Sequence, residues 1–205
     1  RLSNQDQQRF LTALLNAKRF VEAFELWSSL NQGTASLGEF TDGGFERESN
    51  LSDPGFGWHQ PREIQGLRIS FDPTMSYSGG QSLRFEFEGQ AKPGVVVLTQ
   101  LVRVEPNTRY NLRFAVRTQE IVTGGVPFIS VLDATSQNLL IDADLTVQKD
   151  SDGRWQNYSV DFATLDTTNT IAFGLQRRNC RALPCPIFGR LWLDSFALNR
   201  MEYLF

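Results

Sequence analysis

At 205 residues, the chain has room for one large domain or two small ones. A net charge of −3 offers no electrostatic handle for nucleic acid or an anionic membrane, and no apolar run approaches the ~20 residues of a membrane span. Lysine occurs only at positions 18, 92 and 149, so arginine dominates the cations. Sixteen Phe against four Tyr and four Trp put most aromatic mass into a core-building residue. The sequence shows no secretory signal, but a chain opening at Arg1 is expected to be part of a longer protein, so that absence says little.

Residues 3–30 read as helix. Ser3 and Asp6 have the spacing of an N-terminal capping box. Phe10, Leu11, Leu14 and Leu15 then recur at helical spacing, and Phe20, Phe24, Trp27 and Leu30 form a second stripe. A break near Asn16–Arg19 predicts a helical hairpin over residues 1–32. The stretch FLTALLNAKRFVEAFELWSSL resembles one tetratricopeptide-type helix pair. A lone pair cannot bury both of its faces. Two readings follow: the end of a helical-repeat array, or a cap packed on what comes next.

Residues 33–39 are a linker within a Gly-, Ser- and Thr-rich stretch. From Phe40 to residue 205 the chain is predicted to be a β-domain. A long loop, ESNLSDPGFGWHQ, precedes strands at Leu67–Phe71 and in the block SGGQSLRFEFEGQAKPGVVVLTQLVRVEPNTRYNLRFAVRTQ. Leu83, Phe85 and Phe87 alternate with Arg84, Glu86 and Glu88. Tyr110, Leu112, Phe114 and Val116 alternate with Arg109, Asn111, Arg113 and Arg117. That period of two means antiparallel strands with one face in a core and one in water. Residues 95–104 start apolar on both faces, so something must cover both sides. Val126–Ala134 reads as a central strand, Asn138–Ile141 as a short one, and Trp155–Phe162, Asn169–Arg177 and Leu191–Leu198 complete the set. Eight to ten strands with regular turns describe a mainly β, antiparallel sandwich behind an N-terminal α-helical hairpin.

The segments GGFE (Gly43–Glu46), GGQSLRFEF, EPNTRYNLRFAVRT, GRWQNYSVDF and LWLDSFAL, in that order and spacing, resemble the carbohydrate-binding-module jelly roll, a galactose-binding-like β-sandwich. The resemblance spans roughly residues 40–200. It implies a structural calcium tying the first and last strands. Its ligands would be Glu46 on the first strand, Asp194 on the last, and backbone carbonyls around Ser78 and Gly80. Several oxygens suit a hard cation, and two buried acids would otherwise repel. The alternative is that one acid is exposed or paired with arginine. The DSDG run at 150–153 has a calcium-like look but reads as a hairpin turn.

Sugar binding needs aromatic platforms flanked by planar hydrogen-bonding groups. Trp58 and His59 in the long loop, Tyr77, Phe128 and Trp155 are the aromatic and imidazole candidates. Arg84, Asn111 and Arg113 lead the polar ones, with Glu86, Gln100 and Arg117 beside them. For each aromatic candidate, Trp58, Trp155 and Phe128 included, packing in the core is the stronger reading, as it is for Trp192. The polar stripe is also explained by cross-strand pairs on a solvated face. The expected binding surface is the concave sheet face or the Phe56–Gln60 loop.

Catalysis is not expected. His59 has no nucleophile motif to serve, and Glu86, Glu88, Asp133 and Asp161 lie among arginines, which lower rather than raise carboxyl pKa values. Cys180 and Cys185 bracket a short loop containing two prolines. They either stand as free thiols or close a disulfide worth roughly 2 kcal/mol, which is the expectation and favours an extracytoplasmic compartment. Two cysteines with a remote His59 do not make a zinc site. The sequence thus points to a non-catalytic binding module for polysaccharide or another envelope glycan. The alternative is a protein-contact domain working through the N-terminal helices.

Overall fold

The computed structural model describes residues 3–32, 36–47, 50–145 and 153–201. Two helices come first, α1 (Asn4–Asn16) and α2 (Phe20–Leu30). Ser3 caps α1 as the sequence predicts, its Oγ accepting the Asp6 N–H at 3.2 Å. The hairpin turns at Lys18, which has a positive φ of 56°. Among the described residues nine strands follow: β1 (Leu67–Asp72), β2 (Ser82–Glu88), β3 (Leu98–Arg103), β4 (Arg109–Thr123), β5 (Pro127–Asp133), β6 (Leu139–Asp144), β7 (Trp155–Ala163), β8 (Thr170–Arg177) and β9 (Ile187–Arg200).

They form two antiparallel sheets. The order is β1-β2-β9-β4-β7 in one and β3-β8-β5-β6 in the other. The alternating apolar residues project between them. Leu83, Phe85, Phe87, Leu112, Phe114, Val116, Phe162, Phe173, Leu191 and Leu193 are all buried there. β5 lies between β8 and β6, as its two apolar faces predict.

Three expectations change. GGFE is no strand: residues 40–47 turn, with Asp42 and Phe45 at positive φ. Both oxygens of the Asp42 carboxylate accept backbone N–H groups, from Glu46 (2.8 Å) and Arg47 (3.0 Å), and such a side-chain-to-backbone bond competes with strand pairing. The named strands therefore begin at β1. Trp58 is not a binding residue. It is 0% exposed, stacked among Phe40, Phe45, Phe173 and Phe196 at centroid distances of 4.9 to 5.7 Å, and its Nε1–H is bonded to the Asp42 carbonyl. The Phe56–Gln60 loop is not a free-standing loop either. His59 exchanges backbone hydrogen bonds with Thr99 (2.9 and 2.8 Å), extending the edge of the four-stranded sheet at β3.

The helical hairpin sits as a cap. Leu11, Leu14, Ala23 and Trp27 bury against Phe56, with Leu101 of β3 packed on the same cluster. The hairpin thus covers β3 at Leu101. Trp27 Nε1 donates to Asp53 Oδ2 (2.5 Å), and Lys18 Nζ to the Thr135 carbonyl (2.7 Å). Between helices and sandwich, the Gly38 N–H donates to the Arg103 carbonyl at the end of β3 (2.7 Å). The rest of the predicted linker lies partly outside the described residues, as does most of the DSDG run.

Candidate functional site

Period-two geometry sends alternate residues of the five-stranded sheet outward. The registers then align Ser70, Arg84, Trp192, Arg117 and Trp155 in one row across β1, β2, β9, β4 and β7. A second row holds Arg68, Glu86, Arg190 and Gln119, and a third Glu88, Phe188 and Val122. On the other side of the first row lie Asp194, Ala115 and Asn157.

Trp192 is the centre of this face. It is buried, yet it projects opposite Leu191 and Leu193 and so belongs to the outer surface rather than the gap between sheets. Arg84 and Arg117 flank it, with guanidinium carbons 5.9 and 5.6 Å from its ring centroid. Its Nε1–H donates to Asp72 Oδ2 at 2.9 Å. Burial opposes the Asp72 charge, but hydrogen bonds from Thr74 and Trp192 outweigh it and hold the carboxyl below its ordinary pKa. Trp192 is thus buried, as its reading as core expects, but on the outer side of the sheet rather than between the two sheets. The alternation in LWLDSF already places it across from two leucines, and that signal would have found it.

Trp155 ends the row, half-buried, with Tyr77 edge-on at 5.9 Å; Tyr77 is 45% exposed. Phe188, 49% exposed, stands four residues from Trp192 on β9, about 13 Å along the strand. Arg84 pairs with Glu86 at 2.9 Å, while Arg190 (3.4 Å) and Arg68 (3.7 Å) reach the same carboxylate.

Asn111 and Arg113 occupy the far end of the face, Asn111 about 20 Å along β4 from Arg117. Asn111 is spent internally: its Nδ2 donates to Ser159 Oγ (2.8 Å) and Asp161 Oδ1 (2.5 Å), and its Oδ1 accepts from Arg113 Nε (2.8 Å). Of the six predicted ligand residues, the structure brings Arg84 and Trp155 into one row. It sets Asn111 and Arg113 apart, and removes Trp58 to the core and His59 to the opposite sheet's edge. Phe128 lies in the opposite sheet too, beneath Arg178 at 3.7 Å from its centroid.

Glu46 and Asp194 do converge on the loop at Ser78–Gly80, through its amides rather than its carbonyls. Gly80 N–H donates to Glu46 Oε1 (2.9 Å) and Oε2 (3.1 Å), and Tyr77 and Ser78 N–H to Asp194 Oδ2 (2.7 and 3.2 Å). A Cβ placed on Gly44 would lie 3.6 Å from Glu46 Cγ and 3.9 Å from Asp194 Oδ1, so both acids flank one glycine. Gly79 has φ +68°, and a Cβ there would collide with the Glu46 carboxylate. Asp194 is 0% exposed, and burial pushes its carboxyl pKa up against the hydrogen bonds from Tyr77, Ser78 and Ser195. Ser78 and Ser195 hydroxyls meet at 2.7 Å beside it. The donors fit a hard cation in kind, being carboxylates and hydroxyls. Among the described residues no cluster of three or more His, Cys, Asp or Glu could hold a metal.

The acids weighed for hydrolysis do not face one another. Asp133 belongs to the four-stranded sheet and Asp161 to β7, while Glu86 is surrounded by arginines. Cys180 and Cys185 form a disulfide, with Cα atoms 5.5 Å apart. No helix among the described residues is long and apolar enough to cross a membrane.

No protein-family model matches the chain, and no curated protein matches it in sequence. Solved structures do. A module described as CBM4 superposes with TM-score 0.55 at 10% identity, covering 79% of this chain and 99% of that one. A family 16 carbohydrate-binding module gives 0.51 at 17% identity, with 78% and 98% covered. TmCBM61, solved with β-1,4-galactotriose, gives 0.51 at 16%, with 81% and 100% covered. At such identities the likeness is one of fold. The chain accordingly has the two-sheet jelly-roll fold of these three carbohydrate-binding modules.

Proposed function

We propose that this chain is a non-catalytic carbohydrate-binding module, using the outer face of the five-stranded sheet to hold polysaccharide. The observation that supports the reading most is the Tyr77–Trp155 pair, an exposed aromatic edge at the end of a row of arginine and indole. Sugar rings present C–H faces to aromatic planes and hydroxyls to planar donors, and this row offers both. The row is set by sheet register, and its length across five strands suits an extended chain. Retention on an affinity gel or glycan array tests it: the native chain should bind at least one polysaccharide, and Trp155→Ala with Tyr77→Ala should lose that binding. No retention on any polysaccharide would remove the reading.

The Glu46–Asp194 pair is proposed to hold a structural calcium ion. Support comes from its oxygen donors and from the burial of Asp194, whose charge a cation would stabilise. Bound there, calcium would supply a fixed positive charge tying residues 43–46 and the 77–81 loop to β9. The disulfide supports an extracytoplasmic setting.

A second reading, contact with another protein through the helices, rests on Phe10 at 53% exposure and Val21 at 37%. In that reading the hairpin ends a helical array. Sedimentation of the native chain against Phe10→Glu tests it: self-association lost in the variant supports a helix-mediated contact.

A further inference from the structure

The arginines on the outer face are not equally provided for. Arg68, Arg84 and Arg190 share Glu86, and Arg68 also takes Glu88 at 3.0 Å. Arg117, one strand beyond Trp192 in the same row as Arg84, makes no ion pair with any described residue. Its Nε–H is buried without an acceptor, and so is that of Arg84 across the ring. Covering a cationic donor without an acceptor costs free energy unless something later satisfies it.

Neighbouring acids among the described residues are already engaged. Asp72 accepts from Trp192 and Thr74, and Asp194 lies fully buried under the Tyr77–Ser78 amides. Around Trp192 the face thus carries four arginines (68, 84, 117 and 190) against Glu86, Glu88, Asp72 and the buried Asp194, and of these arginines Arg117 is the one with no ion pair to a described residue. Arg117 also stands between Trp192 and Trp155, so a ring resting on Trp155 and Tyr77 would carry its substituents over that guanidinium. A planar fork of donors is suited to carboxylate or sulfate rather than to a single hydroxyl.

We infer that the polysaccharide taken by this face is anionic, its sugar carboxylate or sulfate read by Arg117 with Arg84 alongside. The inference rests on the carbohydrate-binding reading of the same face.

Matched polymers test it. The native chain is titrated by calorimetry or affinity electrophoresis with polygalacturonate and its methyl ester, chondroitin sulfate and desulfated chondroitin, and neutral β-1,4-galactan. In at least one pair, the form bearing the tested anion should bind about tenfold or more tightly, the scale of one charge-assisted hydrogen bond. The preference should shrink as salt rises. Arg117→Gln should abolish the preference while leaving residual binding of the esterified or desulfated partner, and Arg117→Lys should restore part of it; thermal unfolding checks that each variant is folded. Arg84→Gln should weaken the preference as a second, independent variant. The pair that discriminates identifies carboxylate or sulfate as the group read. Equal affinity within every pair, tighter binding of neutral galactan, or a preference unchanged in Arg117→Gln would overturn the inference and leave carbohydrate binding standing. Retention on none of the five would overturn both.

Discussion

The Trp192 indole N–H donates to Asp72 Oδ2 at 2.9 Å, joining the central strand β9 to the end of edge strand β1 across β2. Both side chains are buried, so removing the acceptor leaves an unpaired donor. Asp72→Ala should lower stability by about 2 kcal/mol, read from urea unfolding. It should also shift the tryptophan emission as the ring gains freedom. Binding to polysaccharide should weaken too, since Arg84 and Arg117 lean on that ring.

Phe56 is where the helices meet the sandwich. It is buried against Phe24 and Trp27 at centroid distances of 5.0 and 6.0 Å. Phe56→Ala should cost about 3–5 kcal/mol of the local packing. Because that packing belongs to a separate small cluster, helical circular dichroism should melt below the temperature at which the sheets unfold. A single coincident transition would show that hairpin and sandwich unfold as one.

Asp133 anchors the β5–β6 turn. Its Oδ1 accepts from Thr135 N–H (2.9 Å) and Ser136 N–H (2.6 Å), and its Oδ2 from the Thr168 hydroxyl (2.6 Å). Burial opposes its charge, yet the bonds from Thr168, Ser136 and Thr135 hold its pKa below the ordinary value. The folded state thus binds this proton less readily than the unfolded one. Its contribution is complete above roughly pH 4 and is lost as pH falls through the lower folded-state pKa. Asp133→Asn should cost about 1–3 kcal/mol at pH 7. The gap to the native chain should narrow on titration to pH 3, and a gap independent of pH would contradict the assignment.

The Cys180–Cys185 loop is held from beneath as well as closed. Buried Arg177 donates to the carbonyls of Ala91, Gly125, Cys185 and Pro186, and desolvation lowers its pKa. Reduction should therefore cost only about 2 kcal/mol, the loop-entropy figure. Sheet dichroism should be unchanged, measured with and without reductant at equal denaturant. Arg177→Met should cost more, because it strips several buried carbonyls of their donor.

Calcium should raise the melting temperature and a chelator should lower it. A ligand at a hundred times its Kd contributes about 2.7 kcal/mol. Glu46→Gln with Asp194→Asn should remove the response. A melting point indifferent to calcium would mean that the amides of residues 77–81 together with Ser195 satisfy the two carboxylates.

Much of the sandwich was legible in sequence because strand periodicity is local. Leu83, Phe85 and Phe87, or Tyr110, Leu112 and Phe114, declare their face within a single window, since alternate side chains on any strand point opposite ways. Ser3 and Asp6 announced their cap the same way. The GGFE turn did not, because Asp42 captures the Glu46 and Arg47 amides only once the chain is folded there. Trp58 could not be told from an exposed platform by composition, for nothing nearby shows that Phe40, Phe45, Phe173 and Phe196 close around it.

The candidate face was decided by topology. β9 is last in the chain yet pairs with β2 on one side and β4 on the other. Only that non-local pairing sets Trp192 between Arg84 and Arg117 and brings Trp155 into line. Residues as far apart as Arg84 and Trp192, or Arg117 and Trp192, become neighbours through backbone hydrogen bonds whose partners no single segment specifies. The sequence by itself determined which side chains face out, through the fixed alternation of the strand; the pairing of strands decided which of them stand side by side.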